Sequence, residues 1–200
     1  MIKPPNVELI AGPAGQLETI YLPPVGELQG VAVLIHPNPT QGGSNTNKVV
    51  QIMGKTISRR GYAVYLPNCR GVGASDGQFD EGRGETDDAL AVVEHARRVH
   101  GELPLALGGF SFGTYVSSEA ARRVAAERLI LAGPAVRRFP VMPVQANTLV
   151  VHGEEDEVSA LADVLDWARP QSLPIVVIPG CSHFFHGKLT QLADTIDRFW

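Results

Sequence analysis

Gly109-Phe110-Ser111-Phe112-Gly113 has the G-x-S-x-G spacing. It suits a serine at the apex of an abrupt turn from strand into helix. The residues two positions away on each side must be small, so that strand and helix can approach. The run 103–108 before it reads as a strand and 114–126 after it as a helix. The N-terminus of that helix points its positive end at charge developing on an attacked carbonyl. The chemistry such a residue performs is nucleophilic attack by a hydroxyl, with Ser111 as the nucleophile.

A serine hydroxyl is a weak nucleophile and needs a base oriented by a carboxylate. Two downstream loops supply candidates. One follows a strand at 148–152 and reads Gly153-Glu154-Glu155-Asp156-Glu157. Its four carboxylates compete, and Asp156 is preferred because its short side chain holds an imidazole more rigidly. Some of these acids would simply solvate the loop. The loop after 128–132 reads Gly133-Pro134-Ala135 and offers no carboxylate. The second loop follows a strand at 175–178 and carries His183 and His186. His183 is preferred, being first after Gly180, with His186 second. His36 and His152 end strands beside tight turns, where they would bond loop backbone. His95 and His100 fall on a helix, on its surface.

A tetrahedral oxyanion needs two N–H donors. One is the backbone N–H of Phe112, just after the nucleophile. The other is expected from the loop His36-Pro37-Asn38-Pro39-Thr40-Gln41-Gly42-Gly43. Proline has no N–H, so Asn38 is the first residue in that loop able to donate. The flanking prolines would hold its N–H rigid.

These residues need a scaffold, and the hydrophobic patterning describes one. Strands are expected at 7–10, 16–21, 31–36, 62–66, 103–108, 128–132, 148–152 and 175–178. Helices are expected at 47–60, 85–100, 114–126 and 160–168, and from Leu189 onward. Strands alternating with helices predict an α/β fold: a mostly parallel central sheet flanked by helices on both faces, in a single domain over 1–200. Both candidate loops then leave strands at the sheet's carboxyl edge, where such folds place ligands. Between 132 and 148 lie only about fifteen residues, with Pro134, Pro140 and Pro143 among them. That leaves no room for a cap, so the site should be shallow and open.

Composition narrows the function classes. The chain has 200 residues, 44% of them apolar, and a net charge of -4. Its arginine pairs, such as Arg59-Arg60 and Arg122-Arg123, are scattered, which argues against a nucleic-acid surface. No apolar run approaches membrane-spanning length, and residues 1–5 lack the apolar stretch of a secretory signal. A cytosolic location is expected. Cys69 and Cys181 are expected as free thiols. The glycine-rich run 70–75 lacks the lysine of a phosphate-binding loop.

Together these segments resemble the small, capless bacterial members of the α/β-hydrolase superfamily. The resemblance covers nearly the whole chain. It rests on His36-Pro37-Asn38-Pro39 with Gly42-Gly43 and Asn47-Lys48-Val49-Val50, on Arg70-Gly71-Val72-Gly73-Ala74-Ser75, on Phe79-Asp80 with Gly84-Glu85, on the elbow, and on His183-Phe184-Phe185-His186-Gly187. It implies an α/β-hydrolase fold without a cap domain. It implies a triad of Ser111, Asp156 and His183, and esterase-type activity on a small-molecule ester with no cofactor and no metal. It places the 70–75 loop at the edge of the active site, with Cys69 where relatives often carry phenylalanine. The implied strand order sets the two cysteines too far apart for a disulfide. Two other readings stand beside this one: a non-catalytic binding protein of the same fold, and a peptidase or thioesterase. Dehalogenase or epoxide hydrolase chemistry would need a carboxylate at the elbow, where Ser111 stands.

Overall fold

The computed structural model describes residues 6–200; residues 1–5, read above for a targeting signal, lie outside it. Eight strands form one sheet in the order β1-β2-β4-β3-β5-β6-β7-β8. An antiparallel hairpin, β1 (Asn6–Gly12) and β2 (Gly15–Leu22), borders it, and β2 runs antiparallel to β4 (Tyr62–Pro67). The rest of the sheet is parallel: β4, β3 (Gly30–Ile35), β5 (Leu105–Phe110), β6 (Arg128–Ala132), β7 (Thr148–Gly153) and β8 (Val176–Ile178). All residues of β3, β4, β5 and β7 are buried, because helices cover both faces and no strand residue there can point to water.

The side-chain period of two sorts these strands into two cores. Val33, Leu107, Leu131 and Val150 face α2 (Arg83–His100), α3 (Phe112–Arg123) and α4 (Leu161–Ala168). Leu34, Ala106, Ile130 and Val151 face α1 (Lys48–Ser58) and α5 (Leu189–Phe199), which supply Met53, Ile57, Leu192 and Ile196. The expected elements are all present, with ends shifted by a few residues. The shift that matters is at β5, which runs on to Phe110 and carries Ser111 directly off its end. Residues 133–147 hold neither helix nor strand, so this segment adds no cap over the carboxyl edge. None of the described helices is long and apolar enough to cross a membrane.

Some side chains do more than their sequence position indicates. Glu85 is buried, and its carboxylate accepts the N–H groups of Asp80 (2.9 Å) and Gly82 (2.8 Å), closing the turn that starts α2. His95 and His100, expected on the surface, are half-buried against Tyr65, and His100 Nε2 lies 2.9 Å from the Tyr65 hydroxyl. Cys69 and Cys181 are free and buried. They follow β4 and β8, which four strands separate.

Candidate active site

The order of the sheet reverses at β3, whose neighbours are β4 on one side and β5 on the other. The loops leaving β3 and β5 therefore diverge, and the crevice between them opens over the carboxyl edge. Ser111 sits there with φ 55° and ψ -114°, a left-handed conformation costly to any residue with a side chain. The surroundings hold it. Its own N–H donates to the Ala132 carbonyl (3.0 Å), and its carbonyl accepts from the Thr114 N–H (3.0 Å) and hydroxyl (2.6 Å). Close packing accounts for the glycines. A Cβ on Gly109 would lie 2.4 Å from the Gly113 carbonyl carbon, and one on Gly113 would lie 2.1 Å from the Ile35 carbonyl oxygen. The second approach presses the start of α3 against the end of β3.

Asp156 and His183 come to Ser111 from the loops after β7 and β8. The Ser111 hydroxyl is 3.0 Å from His183 Nε2, and His183 Nδ1 is 2.7 Å from Asp156 Oδ2. With Nδ1–H donated to the carboxylate, Nε2 is left as the acceptor for the serine proton. Asp156 Oδ1 accepts from the N–H groups of Val158 (2.9 Å) and Ser159 (2.7 Å). Burial pushes the Asp156 carboxyl up, but the bonds from His183 and Ser159 and the nearby histidine charges outweigh it. The net effect holds the carboxyl below its ordinary value and keeps it ionised. His183 is 2% exposed, whereas His186 is exposed and lies outside this chain of bonds. Phe110 packs against the His183 ring, with centroids 4.9 Å apart. Two residues on, buried Phe185 with φ 53° anchors the loop.

The remaining acids of the 153–157 loop do not all simply solvate it. Glu154 accepts the Gly180 N–H (2.8 Å) and Glu157 accepts the His183 N–H (3.2 Å), so both tie one loop to the other. Sequence position gives no sign of these bonds, because they span 26 residues. Gly153 permits the approach: a Cβ there would be 2.3 Å from the Cys181 carbonyl oxygen.

On the opposite side, Asn38 precedes a short 3-10 turn (Pro39–Gln41). Its carbonyl accepts from Gln41 (3.1 Å) and Gly43 (3.0 Å). The N–H groups of Asn38 and Phe112 have no acceptor among the described residues. His36 is buried; its Nδ1–H donates to the Pro37 carbonyl (2.7 Å), and its Nε2 accepts from Cys69 N–H (2.9 Å). Burial pushes His36 down to about 4, against the opposing pull of the Pro37 bond. His152 bonds backbone as well, donating Nε2–H to the Ser159 carbonyl (2.8 Å), so both histidines do what their strand-end positions indicate.

Ser111 and His183 open into a cleft of about 190 Å³. One wall carries Asn38, Gln41 and Asn47; the other carries Val158 and Phe184. Apart from Asn38, the sequence assigns none of these wall residues a role in the site. The only local signal is at Asn47, an asparagine at a helix start. The 70–75 loop is not on this cleft. Arg70, Gly71 and Val72 line a neighbouring groove with Pro39 and Thr40, because the 3-10 turn stands between that loop and Ser111. Cys181 is buried, its thiol raised by burial and directed at the Ser182 carbonyl, so it does not compete for the nucleophile's role. No group of three or more His, Cys, Asp or Glu side chains among the described residues is placed to hold a metal ion.

Comparison with known proteins agrees with this architecture. The family model described as serine aminopeptidase, S33 matches residues 40–145. A lidless α/β serine hydrolase from Xanthomonas campestris superposes with a TM-score of 0.93 at 36% identity, over 100% of this chain and 94% of that one. An α/β serine hydrolase homologue from Coxiella burnetii gives 0.91 at 35% identity, over 99% and 98%. An uncharacterized protein of Rickettsia prowazekii is 28% identical over 94% of this chain and 85% of its own length. The chain belongs to the family described as serine aminopeptidase, S33, and with it to the lidless α/β serine hydrolases.

Proposed function

We propose that the protein is a carboxylesterase for small acyl esters, working through Ser111, His183 and Asp156. One observation carries this reading: the unbroken hydrogen-bonded chain from Ser111 through His183 to Asp156, opening on a small uncovered cleft. Ser111 Oγ attacks the acyl carbon while His183 Nε2 takes its proton. Asp156 stays ionised and stabilises the imidazolium. The N–H groups of Asn38 and Phe112 receive the oxyanion. The tetrahedral intermediate collapses, His183 gives its proton to the departing alcohol, and the acyl group stays on Ser111. Water then attacks the acyl-enzyme, with His183 acting again as base and then as acid.

The family description raises aminopeptidase activity as a second reading. A peptide's free amine is cationic and calls for a carboxylate partner. The described residues lining the cleft include no Asp or Glu, which favours the ester. The test is labelling by a fluorophosphonate, then a panel of p-nitrophenyl esters of graded chain length beside amino-acid p-nitroanilides. Labelling at Ser111, turnover of the shorter esters, and loss of both in Ser111→Ala are expected. Near-parental esterase activity in Ser111→Ala overturns the mechanism, and faster turnover of the anilides overturns the substrate class.

A further inference from the structure

Asn47 lines the same cleft as Ser111 and His183, and all but one of its polar atoms are committed elsewhere. Its N–H donates to the Ser44 carbonyl (3.0 Å), and its own carbonyl accepts from Gln51 N–H (2.9 Å). Its Oδ1 accepts from Val49 N–H (2.9 Å), capping α1. A backbone N–H can only donate, so this bond fixes which way the side-chain amide faces. Nδ2, with two N–H donors, is left without an acceptor among the described residues. Asn38 follows the same rule on the same wall. Its carbonyl is occupied as described above, and its Oδ1 accepts from the N–H and the hydroxyl of Thr40 (both 3.0 Å). The uncommitted side-chain group of each asparagine is therefore a donor, its Nδ2. The described lining also includes no Lys or Arg, so the wall suits a neutral acceptor better than an anion.

The esterase reading, on which this inference rests, orients the substrate. The leaving alcohol takes its proton from His183 Nε2 and so departs on the side of Val158 and Phe184. The acyl chain then extends toward the loop that carries Asn38 and Asn47. We infer that Asn47 Nδ2 is a specificity-determining donor that selects acyl chains carrying a neutral acceptor oxygen, such as an ether, hydroxyl or keto group, a few bonds from the ester carbonyl. A plain alkyl chain in that place would remove water from the amide and return no hydrogen bond.

The test compares p-nitrophenyl β-methoxypropanoate with p-nitrophenyl pentanoate, which match in chain length and differ in one ether oxygen. Each kcat/KM is divided by the ester's rate of hydrolysis by hydroxide, which removes the difference in intrinsic reactivity. One neutral hydrogen bond predicts a preference of about tenfold for the oxygenated ester. Asn47→Ser and Asn47→Asp both keep a residue that caps helices well, and thermal melts check that α1 is intact. With Tm held, the preference should collapse toward unity in Asn47→Ser. In Asn47→Asp, which replaces the donor by an acceptor, it should vanish or reverse. Wild type that turns over both esters without preference overturns this inference alone. So does a preference that survives in either variant. A preference that follows an ether oxygen in the alcohol, methoxyethyl pentanoate over butyl pentanoate, overturns the assignment to the acyl side. Wild type that turns over neither p-nitrophenyl ester overturns the esterase reading first.

Discussion

The two loops facing each other across Ser111 are held in opposite ways. In the loop after β3 the turn that carries Asn38 is held from within, while Asn45 ties the rest of the loop to Asn68 and Leu66. Asn38 binds Thr40, Gln41 and Gly43; Gly42 N–H donates to Pro39, and Asn47 N–H to Ser44. The loop after β8 is held from outside. Its Gly180, Cys181 and His183 bond to Glu154, Glu155, Glu157 and Asp156, all on the loop after β7. The first loop presents a rigid backbone N–H, and turn chemistry within about ten residues suffices for that. The second must aim a side chain, the imidazole, and the hydrogen bond that orients it comes from Asp156 on the neighbouring strand's loop.

The sharpest break of this contrast is on the imidazole side. His183→Ala should lower kcat/KM for a short ester by about 10⁴-fold or more, as the loss of a unit member does. His186→Ala should stay within a few-fold. A reversed ranking in steady-state kinetics would move the base to His186 while leaving the class intact.

On the other side, backbone contact replaces side-chain reach. Gly113→Ala places a methyl 2.1 Å from the Ile35 carbonyl oxygen. A backbone atom cannot swing aside as a side chain can, so a loss of about 3 kcal/mol in urea unfolding is expected. Unchanged stability would mean that the elbow does not need this close approach.

Acid tests the first loop at His36. Burial pushes His36 down to about 4 in the fold, from an ordinary value of 6.5. Between these values the unfolded chain binds the proton and the folded protein does not, so stability falls as pH drops through that window. The loss should be on the order of 3 kcal/mol, at 1.36 kcal/mol per unit. His152, also lowered, first by burial, adds in the same direction. Urea midpoints measured from neutral pH down to about 4 check this; a flat profile would show that His36 is protonated in the fold at no cost.

The smallest effect sharpens the account of the second loop. Glu157→Ala removes one carboxylate tie to the His183 N–H, and a loss of about threefold in kcat/KM is expected. Glu157→Gln keeps an acceptor and should recover most of it. Equal losses in both variants would assign the effect to charge rather than to the hydrogen bond.

Much of this molecule is legible in its amino-acid sequence. Alternating strands and helices predict the parallel sheet, because burial on both faces makes strands read as short apolar runs. Gly109, Ser111 and Gly113 define the elbow, and Pro37 and Pro39 single out Asn38, since both inferences depend only on neighbouring backbone. Places after strands narrow the acid and the base to two loops; within them Asp156 is chosen for its short side chain and His183 for coming first after Gly180, ahead of His186. The structure alone decided which acids bind across to the histidine loop, that the 70–75 loop faces a different groove, and that Asn47 shares a cleft with a serine 64 residues away in the sequence. Each of these depends on how two strand ends lie side by side. Sequence periodicity fixes the face on which a side chain lies, but not which distant loop it meets there.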